Sequence, residues 1–131
     1  MTGLDTNVLV RYLTQDDLAQ ARKANAVVDG AVGSGERLHL DVGVLCELVW
    51  VLRGAYEFGK QTVIEALAKI LDAAQFSVED RDLLREAVEA YRGGQGDFAD
   101  YVLGLRNRKA GCGGTVTFDR ALKRNELFRL L

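Results

Sequence analysis

Short apolar runs alternate with longer stretches of helical periodicity from one end of this chain to the other, and no other feature constrains its fold as much. The short runs are Gly3-Leu4-Asp5, Leu38 to Val42, Phe76 to Val78, Thr115 to Phe118 and Leu127 to Leu131. Between them the apolar residues recur at three- and four-residue spacing, the signature of a helix with one buried face. Thr6 or Asn7 opens the first such helix, through Leu9, Val10 and Leu13. A second starts near Asp16, puts Leu18, Ala21, Ala24, Val28 and Val32 on one face and stops at Gly33-Ser34-Gly35. Val44 to Leu52 reads as a helix apolar around nearly its whole circumference, which predicts burial on several sides. Val63, Ile64, Leu67, Ile70 and Leu71 mark another helix, and Leu83, Leu84, Ala87, Val88 and Tyr91 the next, with Ser77 and Asp80 at capping-box spacing before it. Phe98 to Ala110 is the last, ended by Gly111, Gly113 and Gly114. Strands and helices in this order predict the α/β class, a parallel sheet with helices on both faces.

Nothing divides the sequence: it has no proline, no low-complexity linker and no internal repeat, so residues 1–131 are expected to form a single domain. A domain of that length buries roughly two thirds of the surface its unfolded chain exposes. No apolar stretch is long enough to span a membrane and no leader precedes the first strand, so a cytoplasmic protein without membrane contact is expected. Cys46 and Cys112 have no neighbouring Cys or His at ligand spacing, and in a reducing compartment no disulfide is expected. The only histidine, His39, lies between Leu38 and Leu40 and reads as a packed or edge residue, which removes Ser-His-Asp and Cys-His catalysis unless His39 serves. The net charge of −2 hides an asymmetry. Residues 1–100 carry 10 basic and 17 acidic side chains, whereas residues 101–131 carry 7 and 2. A basic C-terminal third on an acidic chain suits phosphate binding, although runs of charge are more often solvated faces.

The chemistry rests on acids. In open parallel sheets functional groups collect beyond the C-terminal ends of the strands, and two acids fall there: Asp5 after the first strand and Asp119 after Thr115-Val116-Thr117-Phe118. Each would also serve as an ordinary helix N-cap. Glu47 is the only charged residue from Val44 to Leu52. Buried without a partner it would cost several kcal/mol, so an arginine or a metal ion should compensate it. Asp97 and Asp100 stand three apart at a helix start, on one face and at the positive end of the helix dipole; capping by Asp97 with a surface Asp100 is the plainer alternative. Acids gathered at one sheet edge would repel one another without a cation, and all-oxygen ligation favours Mg²⁺ or Mn²⁺ over zinc.

Four segments in order carry a family resemblance: Leu4-Asp5-Thr6-Asn7-Val8-Leu9, Cys46-Glu47-Leu48-Val49-Trp50-Val51-Leu52, Gly96-Asp97-Phe98-Ala99-Asp100-Tyr101 and Thr115-Val116-Thr117-Phe118-Asp119. With these the chain resembles PIN-domain ribonucleases of the VapC toxin type over essentially its whole length. The resemblance implies a three-layer α/β/α PIN-like domain with a short central parallel sheet, Mg²⁺- or Mn²⁺-dependent hydrolysis of RNA, and neutralisation by a cognate antitoxin, as a homodimer or a toxin–antitoxin hetero-oligomer. It implies metal-site acids at Asp5, Glu47 and Asp100, with Asp119 as a more variable fourth and Asp97 in support. Thr6, Asn7 and Thr117 match polar positions that line such sites. Arg106, Arg108, Lys109, Arg120, Lys123 and Arg124 are the candidates for RNA phosphate contacts.

Other readings are weaker. A receiver-type Mg²⁺-binding signalling domain would need paired acids after the first strand and a lysine where Asp119 stands. A haloacid-dehalogenase-type phosphatase would need an acid at Asn7. A catalytically inert PIN-like binding module, using its acids only to hold a partner's arginine, differs from the enzyme by failing to cut RNA in the presence of Mn²⁺.

Overall fold

A computed structural model describes all residues 1–131. By its backbone contacts the chain divides into two compact units, Met1–Glu79 and Asp80–Leu131.

In the first unit, β1 (Thr2–Gly3), β2 (Leu38–Leu40) and β3 (Phe76–Val78) form a parallel sheet in that order. The register pairs Gly3 with His39, His39 with Ser77 and Leu40 with Val78. Four helices accompany it: α1 (Thr6–Thr14), α2 (Leu18–Ser34), α3 (Val42–Gly54) and α4 (Lys60–Asp72). The strands are only two or three residues long, and Leu38, Leu40, Phe76 and Val78 on β2 and β3 are buried, as parallel strands covered on their faces are. Leu9, Leu45, Leu48, Leu52, Ile64, Leu67 and Ile70 fill the space against them, each almost fully buried.

Two helices differ from their expected faces. On α2 the buried stripe is Ala21, Ala24, Val28 and Ala31, while Leu18 and Val32 are exposed. A stripe that advances by three, four and three residues follows the helical period, and it leaves both ends of the predicted face turned outward. On α3 the buried residues are Val42, Leu45, Leu48, Val49 and Leu52, an ordinary one-sided stripe, and Trp50 is 79% exposed. The helix is thus apolar all round without being buried all round.

In the second unit, α5 (Arg81–Gly93) and α6 (Phe98–Lys109) pack together, with Tyr91 and Phe98 in edge-to-face contact at 6.0 Å between ring centroids. A second parallel ladder pairs β4 (Thr115–Thr117) with β5 (Phe128–Leu130), and the 3-10 turn Arg120–Leu122 lies between them in sequence. The capping box expected from Ser77 and Asp80 does not form: Ser77 belongs to β3, and the N-cap of α5 is Asp80, whose left-handed backbone (φ 55°) makes no side-chain cap bond. Its carboxylate is paired with Lys109 instead. Close approach explains one glycine of this unit. A Cβ on Gly94 would run into the hydroxyl and ring of Tyr101, and Tyr101 is itself buried and accepts a hydrogen bond from the Gly96 amide at 2.9 Å.

Candidate active site

Asp5 follows β1 and caps α1. Its extended backbone lets Oδ1 accept a hydrogen bond from the Asn7 amide at 2.6 Å, satisfying one of the donors that every helix start leaves open. The capping role and a ligand role are compatible, because the cap uses one carboxylate oxygen and the residue is exposed. Thr6 is the one buried polar residue of the chain, and its hydroxyl donates to Glu47 Oε2 at 3.0 Å. That bond ties the start of α1 to the middle of α3. Asn7 is exposed beside them.

Glu47 is exposed, which corrects the expectation of a buried carboxylate in need of compensation. The apolar neighbours that suggested burial divide into a buried stripe and an open one, and Glu47 lies on the open side with Trp50. Its partner is the Thr6 hydroxyl rather than an arginine. With Oε2 engaged by Thr6, Oε1 remains for a ligand.

The second unit holds the other three acids. Asp97 is the N-cap of α6, and Asp100, in its first turn, reaches back so that Oδ2 accepts from the Asp97 amide at 2.9 Å. Asp119 caps the 3-10 turn, its Oδ1 accepting from the Ala121 amide at 2.9 Å, while its own amide donates to Thr117 Oγ1 at 3.0 Å. Thr117 thereby fixes the backbone that presents Asp119. Asp97 and Asp119 are exposed and Asp100 is half-buried. Burial pushes the Asp100 carboxyl above its ordinary value, and repulsion from Asp97 and Asp119 adds to the rise, against the hydrogen bond from the Asp97 amide. Asp97 and Asp119 lie close enough to act on Asp100, and with no lysine or arginine paired to any of the three they form a local concentration of negative charge that a cation would relieve.

The donors of both groups are carboxylate oxygens, the set that suits a hard divalent ion such as Mg²⁺ or Mn²⁺. In each group the hydrogen bonds from Asn7, Thr6, Ala121 and the Asp97 amide hold one oxygen and leave the other for a ligand. The residues present therefore fit such an ion.

A third group has no counterpart among the sequence motifs. His39, Asp41 and Glu79 bring three potential ligand atoms within 4.8 Å of one another. Parallel pairing of His39 with Ser77 brings together the residues that follow directly on the two strands, Asp41 after β2 and Glu79 after β3. A reading of the sequence could place His39 and Asp41 together by their spacing of two, but Glu79 joins them only through the strand register. Asp5 and Glu47 are not part of this cluster, and Asp41 already caps α3 through the Gly43 amide at 2.7 Å.

The six basic candidates fall into three groups. Arg108 is paired with Glu86 at 2.8 Å and Lys109 with Asp80. Arg120, Lys123 and Arg124 line a cavity of about 530 Å³ within the second unit. Arg106 is exposed in the last turn of α6. The two cysteines are free. No helix is long and apolar enough to cross a membrane.

The sequence model of the PIN domain family matches residues 4–126, nearly the whole chain and all five of the acids. The chain belongs to the PIN domain family. Its fold class follows, an α/β domain whose six helices and three-stranded parallel sheet are consistent with the three-layer α/β/α arrangement. The chain is also similar to a VapC ribonuclease from Aquifex aeolicus (strain VF5), with 29% identity over 124 residues that cover 95% of this chain and 91% of that protein. The match by family and the near-complete coverage of a relative of similar length set the receiver and phosphatase readings aside.

Proposed function

We propose that this PIN-domain protein is a ribonuclease that hydrolyses RNA phosphodiester bonds with the help of Mg²⁺ or Mn²⁺, and that it is the toxin of a toxin–antitoxin pair. The single observation that carries the reading is the pair of carboxylate groups, Asp5 with Glu47 and Asp97 with Asp100 and Asp119, in a chain that matches a VapC ribonuclease over nearly its full length. Residues 1–131 are taken as one functional PIN domain.

In this reading Asp5, Glu47 and Asp100 are the principal metal-site acids, and Asp97 and Asp119 assist. When bound, a divalent ion supplies Lewis acidity toward the phosphodiester and makes water a stronger acid. The chain's own residues prepare for it. Thr6 orients Glu47 through its hydroxyl, and Asn7 fixes Asp5 through its amide. Thr117 holds the backbone of Asp119, and Asp119 or Asp97 serves to orient the water or a second ion. A cation would relieve the cost of ionising Asp100, whose carboxyl is pushed up by burial and by its acidic neighbours. RNA phosphates meet the basic C-terminal third, where the exposed ion pair of Arg108 with Glu86 is weak enough to open for a substrate. An antitoxin that offers arginine or lysine to the same carboxylates would exclude metal and RNA by charge pairing.

The purified chain incubated with RNA is expected to cut it in Mn²⁺ or Mg²⁺, to stop when the metal is chelated and to resume when metal is restored. RNA that stays intact at every metal concentration would favour the inert binding module instead.

A further inference from the structure

The cavity lined by Arg120, Lys123 and Arg124 has features that the proposed chemistry at the acids does not use. At about 530 Å³ it lies within the range of small-ligand sites, roughly 300 to 1,000 Å³. Three cations line it and only one carboxylate, Glu89, which is paired with Arg92 at 3.4 Å, while Arg108 and Lys109 lie outside it, paired with Glu86 and Asp80. Two neutral amides, Gln95 and Asn125, and Tyr101, whose hydroxyl accepts from the Gly96 amide, also line it. Asn125 is held in a defined orientation, because its Oδ1 accepts from the Leu127 amide at 2.8 Å. With that oxygen occupied, the side-chain NH₂ is left to donate. The wall is also continuous in sequence with the acids: Arg120 follows Asp119 and Tyr101 follows Asp100.

We infer that this cavity is a nucleotide subsite, which takes one nucleotide of the RNA beside the bond to be cut. Arg120, Lys123 and Arg124 hold its phosphate, and the amides of Asn125 and Gln95 donate to acceptor atoms on the edge of its base. Phosphate contacts fix register and base-edge contacts carry sequence preference, so the chain's cleavage preference is set in part here. The inference rests on the proposed ribonuclease reading, and it assigns to three of the six basic candidates a place the other three do not share.

Binding can be measured apart from cleavage. A labelled single-stranded RNA is titrated with the full chain in EDTA over a series of salt concentrations, and affinity is read by fluorescence anisotropy. Exchanging Arg120, Lys123 and Arg124 together for glutamine is expected to weaken binding about tenfold or more at low salt and to flatten the salt dependence by about 0.7 in slope for each phosphate no longer neutralised. The charge-conserving set Arg120→Lys, Lys123→Arg and Arg124→Lys should retain most of the affinity, which separates charge from loss of fold. Glutamine at Arg106, Arg108 and Lys109 should cost clearly less. Equal losses in the two glutamine sets, or no loss in the first, would overturn the subsite. Asn125→Asp keeps the acceptor for the Leu127 amide and removes the donor, so in Mn²⁺ it should shift the distribution of cut sites along a long RNA; an unchanged distribution would overturn the base-reading role. Failure of the ribonuclease reading looks different: RNA then stays uncut by the wild-type chain in Mn²⁺ while the binding differences in EDTA persist.

Discussion

Among single residues, Asp100 most clearly carries a conflict between stability and use. Its folded carboxyl lies above the ordinary value, so its ionised form is disfavoured in the fold, and its contribution is destabilising at pH values above the shifted value and disappears below the unfolded one. Asp100→Asn removes that charge while keeping an oxygen for the Asp97 amide. In EDTA at neutral pH the variant is expected to melt higher than the wild type, the difference to vanish on acidification below the carboxylate range, and saturating Mn²⁺ to favour the wild type; thermal melts in the three conditions check this. Asp16 shows the opposite sign. Hydrogen bonds from the Tyr56 and Thr14 hydroxyls, with Arg11 at 3.1 Å, bring its carboxyl down to about 2. A depressed folded value stabilises above the unfolded one, near 4, and that contribution is lost as the pH falls toward about 2. Asp16→Asn should therefore lower the melting temperature at pH 7 and match the wild type near pH 2. The places of Asp5, Asp97 and Asp119 at strand ends and helix starts were legible from sequence because these are local features. The environment of Glu47 was not, since composition reveals that a helix is apolar but not which of its sides is covered.

At the scale of elements, α3 makes that distinction measurable. Leu48 is fully buried and Trp50 is 79% exposed, two positions apart on one helix. Leu48→Ala is expected to cost about 2–5 kcal/mol in denaturant unfolding and Trp50→Ala less than about 0.5, reversing the order that side-chain size alone would give. A large destabilisation from Trp50→Ala would mean that its face is covered. Helix positions were readable to within a few residues because the periodicity of Val63 to Leu71 or Leu83 to Tyr91 is strong. The strands were found as short apolar runs, yet their pairing was not, because register is a long-range property. His39, Asp41 and Glu79 converge only through it. Asp80 shows a smaller miss of the same kind: capping-box spacing was present, but the chain at Ser77 is committed to β3 and Lys109 takes the Asp80 carboxylate.

For the molecule as a whole, class and family could be read from four short motifs in order, since each places a polar group at a particular point in the strand–helix alternation. Division of the backbone into units at Glu79 and Asp80 left no trace in the sequence, which has no linker there. The proposed activity draws on acids from both units, so it fails if either set proves dispensable. The most direct test is the rate of RNA cleavage in saturating Mn²⁺ by the wild type, Asp5→Asn and Asp100→Asn, with folding of each variant verified by thermal melting. Each substitution, one in either unit, is expected to lower the rate by about two orders of magnitude or more while the variant stays folded. Full activity in a folded Asp5→Asn or Asp100→Asn chain would contradict the assignment.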